Sequence, residues 1–445
     1  MLFRAAAACA PPPGRSFMRP GLVILHRWVG VAIALFLIVA GLTGAVISWD
    51  HELDGWLNPQ LWHVSSRGDF LSPFELAARI EAADPRGFVT YLPLHAEIGT
   101  SVSTLVDARV DPATGKLFDL GYNQVFIDPV TGEILGRREW GEIGLDREHL
   151  IPFLYKLHFS LCIPEMWGVE QWGVWLMGGV ALFWIIDCFV GFALTLPPGP
   201  LGGAVWRARW SPAWRIKWTA STYRATFDIH RAFGLWLWAL LFILAVSAAS
   251  LNLNKEVAQP IVNFFSTFTP APTDLRVARP VDDPIMPRIP MPEIVARANE
   301  ETARREFNSP AGSVGYAQQF GVYSVQFFAP GDEHGAAGVG PMELYFDGED
   351  GRFLGDRIPW RGTAGDLFLQ IQFPLHSGRI AGLAGRIVIS MMGVVVAALS
   401  VTGLVIWWRK LRGRAARAAK SVRDNAHVGE PPGEMNEERL TTRSH

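Results

Sequence analysis

The sequence predicts a membrane α-helical bundle of four transmembrane helices, an internal duplication, with two α+β domains held on one side of the membrane. Three observations lead there. The 445 residues are 49% hydrophobic, 12% aromatic and only 18% charged, too apolar for a soluble chain of this size. Four stretches, 22–49, 169–196, 233–253 and 387–408, supply the roughly 20 apolar residues that a hydrocarbon core demands. The second half also echoes the first. HRWVGVAIALFLIVAGLTGAVIS aligns with HRAFGLWLWALLFILAVSAASLN, and DPVTGEILG at 128–136 aligns with DGEDGRFLG at 347–355.

The elements follow in order. Residues 1–21 are expected to be a cytoplasmic lead, because Arg4, Arg15 and Arg19 precede an apolar run too long for a signal peptide and lacking a small-residue cleavage site. Met18 is an alternative start, and no apolar stretch precedes Cys9 to make it a lipoprotein cysteine. The first span is 22–49. Residues 50–155 form the first outer domain, where SPFELAARIEAA opens a helix with Ser72 as N-cap, Pro73 first and Glu75 closing a capping box. Short β-rich segments separated by DPATGK and DPVTGE follow it as antiparallel hairpins.

The second span, with its lead-in, is 156–196, and the loop 197–228 is basic. Arg207, Arg209, Arg215, Lys217 and Arg224 precede its first acid, Asp228, which makes the loop cytoplasmic by the positive-inside rule. The third span, 229–253, leads to a second outer domain, 254–370, with a proline-rich extended connector at 267–292 and a helix from Met291. The fourth span with its lead-in is 371–408, and 409–445 is a basic cytoplasmic tail, disordered past Asn425. Both termini are thus expected inside. The two long segments lie outside, which in a bacterium means the periplasmic side of the inner membrane. Cys9, Cys162 and Cys188 lie far apart and without CxxC spacing, so no disulfide framework, zinc site or c-type haem attachment is expected. Nothing points to a nucleic-acid partner.

The HRWxG helix start, the histidine ahead of a later helix in LYKLHFSLCIP and FPLHSGRIAGL, and the paired DPVTGEILG-like hairpins resemble the PepSY-associated transmembrane helix proteins. The resemblance covers roughly residues 20–412. It implies a bacterial inner-membrane protein with PepSY domains in the periplasm. Some members of that family are di-haem reductases of ferric siderophores, which links the chain to iron homeostasis.

Of eleven histidines, four stand at helix mouths. On the expected topology His26 and His230 lie at the cytoplasmic level, and His158 and His376 at the outer level. Two at each level is the number that two bis-histidine b haems require, since haem iron takes an axial ligand on each face. Arg27, Arg231, Lys156, Arg379 and Arg386 lie near them in sequence as candidate propionate partners, with snorkelling to headgroups as the alternative for each. His51, at the outer end of the first span, is an alternative ligand. His63, His95, His149 and His334 read as surface histidines of the outer domains. Asp187 is an acid inside an apolar helix, expected to orient an imidazole, relay a proton or pair with a neighbour. Tryptophans at the span ends form the aromatic belt.

The leading expectation is therefore an oxidoreductase that takes electrons from quinol or a cytoplasmic donor and, as the family resemblance implies, reduces a periplasmic ferric siderophore. The alternative is a non-catalytic membrane protein whose PepSY domains bind or restrain a periplasmic protein such as a protease. A transporter subunit is weaker, because the spans lack Gly/Pro breaks and polar midplane residues other than Asp187.

Overall fold

The computed structural model describes residues 18–428. The chain opens with a long helix, α1 (Met18–Ile47), and a short one, α2 (Asp50–Leu57). Then come α3 (Pro73–Ala83) and the strands β1 (Gly87–Pro93), β2 (Val102–Ala108), β3 (Gln124–Ile127) and β4 (Ile134–Arg138). The chain returns through α4 (Leu150–Ser160) and α5 (Trp172–Thr195), followed by α6 (Thr222–Trp236) and α7 (Trp238–Asn252). The second outer unit repeats the first as α8 (Met291–Arg304), β5 (Ala311–Ala317), β6 (Val322–Phe327), β7 (Met342–Asp347) and β8 (Phe353–Arg357). Helices α9 (Ala364–Ser377) and α10 (Gly382–Val428) complete the bundle.

Three helical segments, Met18–Ile47, Trp172–Thr195 and Arg379–Ser421, are long and apolar enough to cross a membrane. The third expected span departs from a straight helix: α6 and α7 meet at 70° around Leu237. Composition and packing explain the break. Arg224, Asp228 and Arg231 make α6 amphipathic, and it packs on α10, whereas α7 is apolar throughout and lies against α5 and α9. Trp238, the first residue of α7, donates its indole N–H to the Cys188 carbonyl of α5 at 2.9 Å and stacks on Phe242, which holds the new direction.

Three local expectations are also corrected. Helix α10 runs on to Val428, because the Ala, Arg and Lys of the basic tail are strong helix formers, so the tail is helical well past the span. The rest of that tail, 429–445, and residues 1–17 with Cys9, Arg4 and Arg15, lie outside the described residues. Ser72 precedes α3 as expected, but its side chain makes no cap bond, and Glu75 instead pairs with Arg79 at 2.8 Å. A complete capping box forms elsewhere, between Thr363 and Asp366 at the start of α9.

The two outer units are four-stranded antiparallel meanders, and they are not separate. Strand β1 pairs with β5, Leu92 opposite Val314, to give one eight-stranded sheet in the order β4-β3-β2-β1-β5-β6-β7-β8. Leu76 and Ile80 of α3 and Ile294 and Ala298 of α8 belong to one core with the sheet residues Val89, Val125, Val314 and Leu344. Pairing β1 with β5 covers what would otherwise be two exposed sheet edges.

Candidate functional site

The bundle brings the four helix-mouth histidines together in two pairs. His26 of α1 and His230 of α6 have ring centroids 6.2 Å apart, and His158 of α4 and His376 of α9 are 6.0 Å apart. The second pair lies at the sheet end and the first at the far end. His26 and Thr43, which contacts His158, are seventeen residues apart on α1, roughly 25 Å of helix.

Each imidazole is anchored through Nδ1. His158 donates to the Ala40 carbonyl at 3.0 Å and meets the Thr43 hydroxyl at 3.1 Å. His230 likewise meets the Leu399 carbonyl at 3.1 Å and the Thr402 hydroxyl at 3.0 Å. His376 meets Ser247 Oγ at 3.0 Å, and His26 meets the Asp187 carboxylate at 2.8 Å. These partners determine the tautomer. Carbonyls and carboxylates only accept, and each of the three hydroxyls already donates to a carbonyl of its own helix, Val39, Leu399 or Leu244. All four histidines therefore carry a proton on Nδ1, which leaves Nε2 as the nitrogen available to an ion, the arrangement that partners of metal-ligating histidines impose. With metal–nitrogen distances of about 2.0–2.1 Å, two imidazoles on one ion have centroids about 6 Å apart, which both pairs match.

A family model, the PepSY-associated TM region, matches residues 23–410. The chain belongs to this family. A comparison with curated proteins finds no match.

In this PepSY-associated chain, small residues make room around the histidines. A Cβ on Gly44 would stand 2.9 Å from the His158 ring, and one on Gly403 would stand 3.3 Å from the His230 ring. Gly30 and Gly234, each four residues after its histidine and so on the same helix face, have no other atom within 4 Å of a Cβ position. That is open space on the histidine-bearing faces of α1 and α6.

The expected cations divide into three groups. Arg386 is committed to the Ser48 carbonyl and Glu52 and lies over the Trp49 ring. The side chains of Arg27 and Lys156 make no hydrogen bond or ion pair among the described residues. Arg231 and Arg379 are half-satisfied: Arg231 bonds Asp228 and the Pro212 carbonyl, and Arg379 lies 3.9 Å from Asp50, yet Arg231 Nε and Arg379 Nη1 are buried without a partner. The two residues follow His230 and His376 by one and three positions, and an anionic group would satisfy their orphaned N–H groups. Asp228, fully buried between Arg224 and Arg231, was not singled out in the sequence.

Other described histidines have contacts of their own. His63 forms a β-bridge with Thr100, His149 pairs with Asp146 and Glu142, and His51 approaches His334. Trp28 and Trp236 are exposed on the bundle surface, whereas Trp184 packs on its core. Sequence reasoning singled out one anchor, Asp187, which meets His26, and missed those of the other three imidazoles. Their signal was the repeated Thr-Gly of LTGAVI and VTGLVI, since Thr43-Gly44 and Thr402-Gly403 each supply a hydroxyl and a gap to one histidine.

Proposed function

We propose that this protein holds two b haems, one through His26 and His230 and one through His158 and His376, and carries electrons across the bacterial inner membrane to a periplasmic ferric siderophore. The observation that carries this reading is the shared anchoring through Nδ1: four available Nε2 nitrogens in two pairs spaced for one ion each. Bound haem supplies the one-electron chemistry.

The chain's own residues do the rest. Arg231 and Arg379 offer their buried N–H groups to propionates, with Arg27 and Lys156 as further counter-charges. Between the two levels Ile33, Leu37, Val180, Leu241, Leu244, Met392 and Val396 form a packed apolar cluster. Such packing excludes water and ions from the path between the pairs, which favours electron passage over transport of a solute. By the positive-inside rule the basic 197–228 loop and 409–428 segment support a cytoplasmic far end, open to quinol or a soluble donor, with the sheet in the periplasm. Reduction there frees the iron, since the hard oxygen donors of a siderophore suit ferric far better than ferrous iron.

A reduced-minus-oxidised spectrum of the purified protein, with haem quantified per chain, tests the reading. Two haems are expected, falling to one in His230→Ala and one in His376→Ala, with reoxidation by ferric chelates. Protein without a Soret band, or full haem content in both variants, would overturn it and leave the non-catalytic PepSY reading standing.

A further inference from the structure

The structure assembles a third imidazole pair outside the bundle. His51, in the first turn of α2, and His334, in the loop between β6 and β7, have ring centroids 6.3 Å apart with planes inclined at 40°. That separation matches the 6.2 and 6.0 Å of the pairs in the bundle. Both side chains are exposed, and neither ring has a hydrogen-bond partner among the described residues.

The surroundings hold the two rings in place. His51 sits edge-on to Trp62, whose indole N–H is tied to Asp54 at 3.0 Å. The His334 carbonyl accepts from the Gly340 N–H at 2.8 Å, Gly335 N–H bonds the Asp332 carbonyl at 3.0 Å, and Arg357 bonds the Val339 carbonyl. The loop is seated on the bundle through Gly338, where a Cβ would stand 2.6 Å from the Cβ of Arg379. One half of the chain thus contributes a helix, the other a loop, and the imidazoles meet at the seam. Asp50 and Glu333 flank the pair in sequence; Asp50 faces the Arg379 guanidinium at 3.9 Å, and Glu52 pairs with Arg386 at 2.8 Å.

We infer that His51 and His334 form a surface site for a divalent first-row transition-metal ion. Imidazole is a nitrogen donor that suits such ions, and two protein ligands leave the remaining positions to water or an incoming chelate. A site so open suits an ion in transit rather than a resident one. The place fits as well: His51 is seven residues past Gly44, which packs on His158, and Arg379, against the His334 loop, is three past His376. The identity of the cargo rests on the reductase reading. On that reading it is ferrous iron, which imidazole accepts and oxygen-rich siderophores release.

Binding of Zn²⁺ and, anaerobically, Fe²⁺ to the untagged full-length protein in detergent tests the site, with haem counted in every sample. One equivalent is expected, weakened at least tenfold in His51→Ala or His334→Ala and lost in the double variant. Haem content and the His149→Ala control, at the separate Asp146 contact, are expected to be unchanged. No binding by the wild-type protein, or equal binding by the double variant, would overturn the site. So would loss of a haem in either single variant, because the pair would then be haem ligands. A wild-type protein that binds the metal through these residues but contains no haem upholds the site and removes the reductase reading.

Discussion

At the scale of residues, the asymmetry among the four histidines has chemical consequences. Three donate Nδ1–H to neutral carbonyl or hydroxyl oxygens, and His26 alone donates to a carboxylate, Asp187. A charged acceptor makes the opposite nitrogen more basic, and a more basic ligand favours ferric over ferrous iron. On the haem reading, Asp187→Asn is expected to raise the midpoint potential at the His26–His230 pair and leave the other alone. A tenfold change in ferric-over-ferrous preference would read as about 59 mV for one electron in a spectroelectrochemical titration. Equal movement of both potentials, or of neither, would contradict the role assigned to Asp187. The four histidines were legible in the sequence from their position before apolar runs. Of their partners only Asp187 was, because a carbonyl such as Ala40 or Leu399 leaves no trace in residue type.

At the scale of elements, α1 and α10 cross with their backbones in close approach. A Cβ on Gly41 would lie 2.5 Å from the Gly393 carbonyl oxygen, and one on Gly393 would lie 2.4 Å from that of Gly41. Two backbones this near need glycine on both sides, as in small-residue crossings of membrane helices generally. Gly41→Leu is expected to cost about 1–3 kcal/mol, typical of overpacking, and to lower the thermal midpoint of the detergent-solubilised protein. Gly21→Leu, on the same helix with nothing within 4 Å, serves as the comparison and should leave it unchanged. Similar losses in both variants would show that the crossing is not the sensitive point. The break at Leu237 marks the limit of reading spans from hydropathy. The run 233–253 has the apolar content of a single helix, and only its contacts with α5, α9 and α10 divide it.

At the scale of the whole molecule, the two halves are joined by the α1–α10 crossing, by the packing of α5 on α7 and by the β1–β5 ladder. Leu92 of β1 is fully buried opposite Val314 of β5, so its truncation should be felt across the seam. Leu92→Ala is expected to destabilise the sheet by about 2–5 kcal/mol, and limited proteolysis should then cut in both halves together. Cleavage confined to the first half would mean the subdomains fold independently. The sequence by itself determined the apolar spans, the repeated order of helix and meander, the cation distribution and the four histidines, because these depend on local composition and spacing. Tertiary structure alone decided which histidines face each other, that Nδ1 carries each proton, that two meanders share one sheet, and that His51 meets His334. Those depend on contacts between residues far apart in the chain, up to 283 positions for the last pair, and no local pattern encodes such distances.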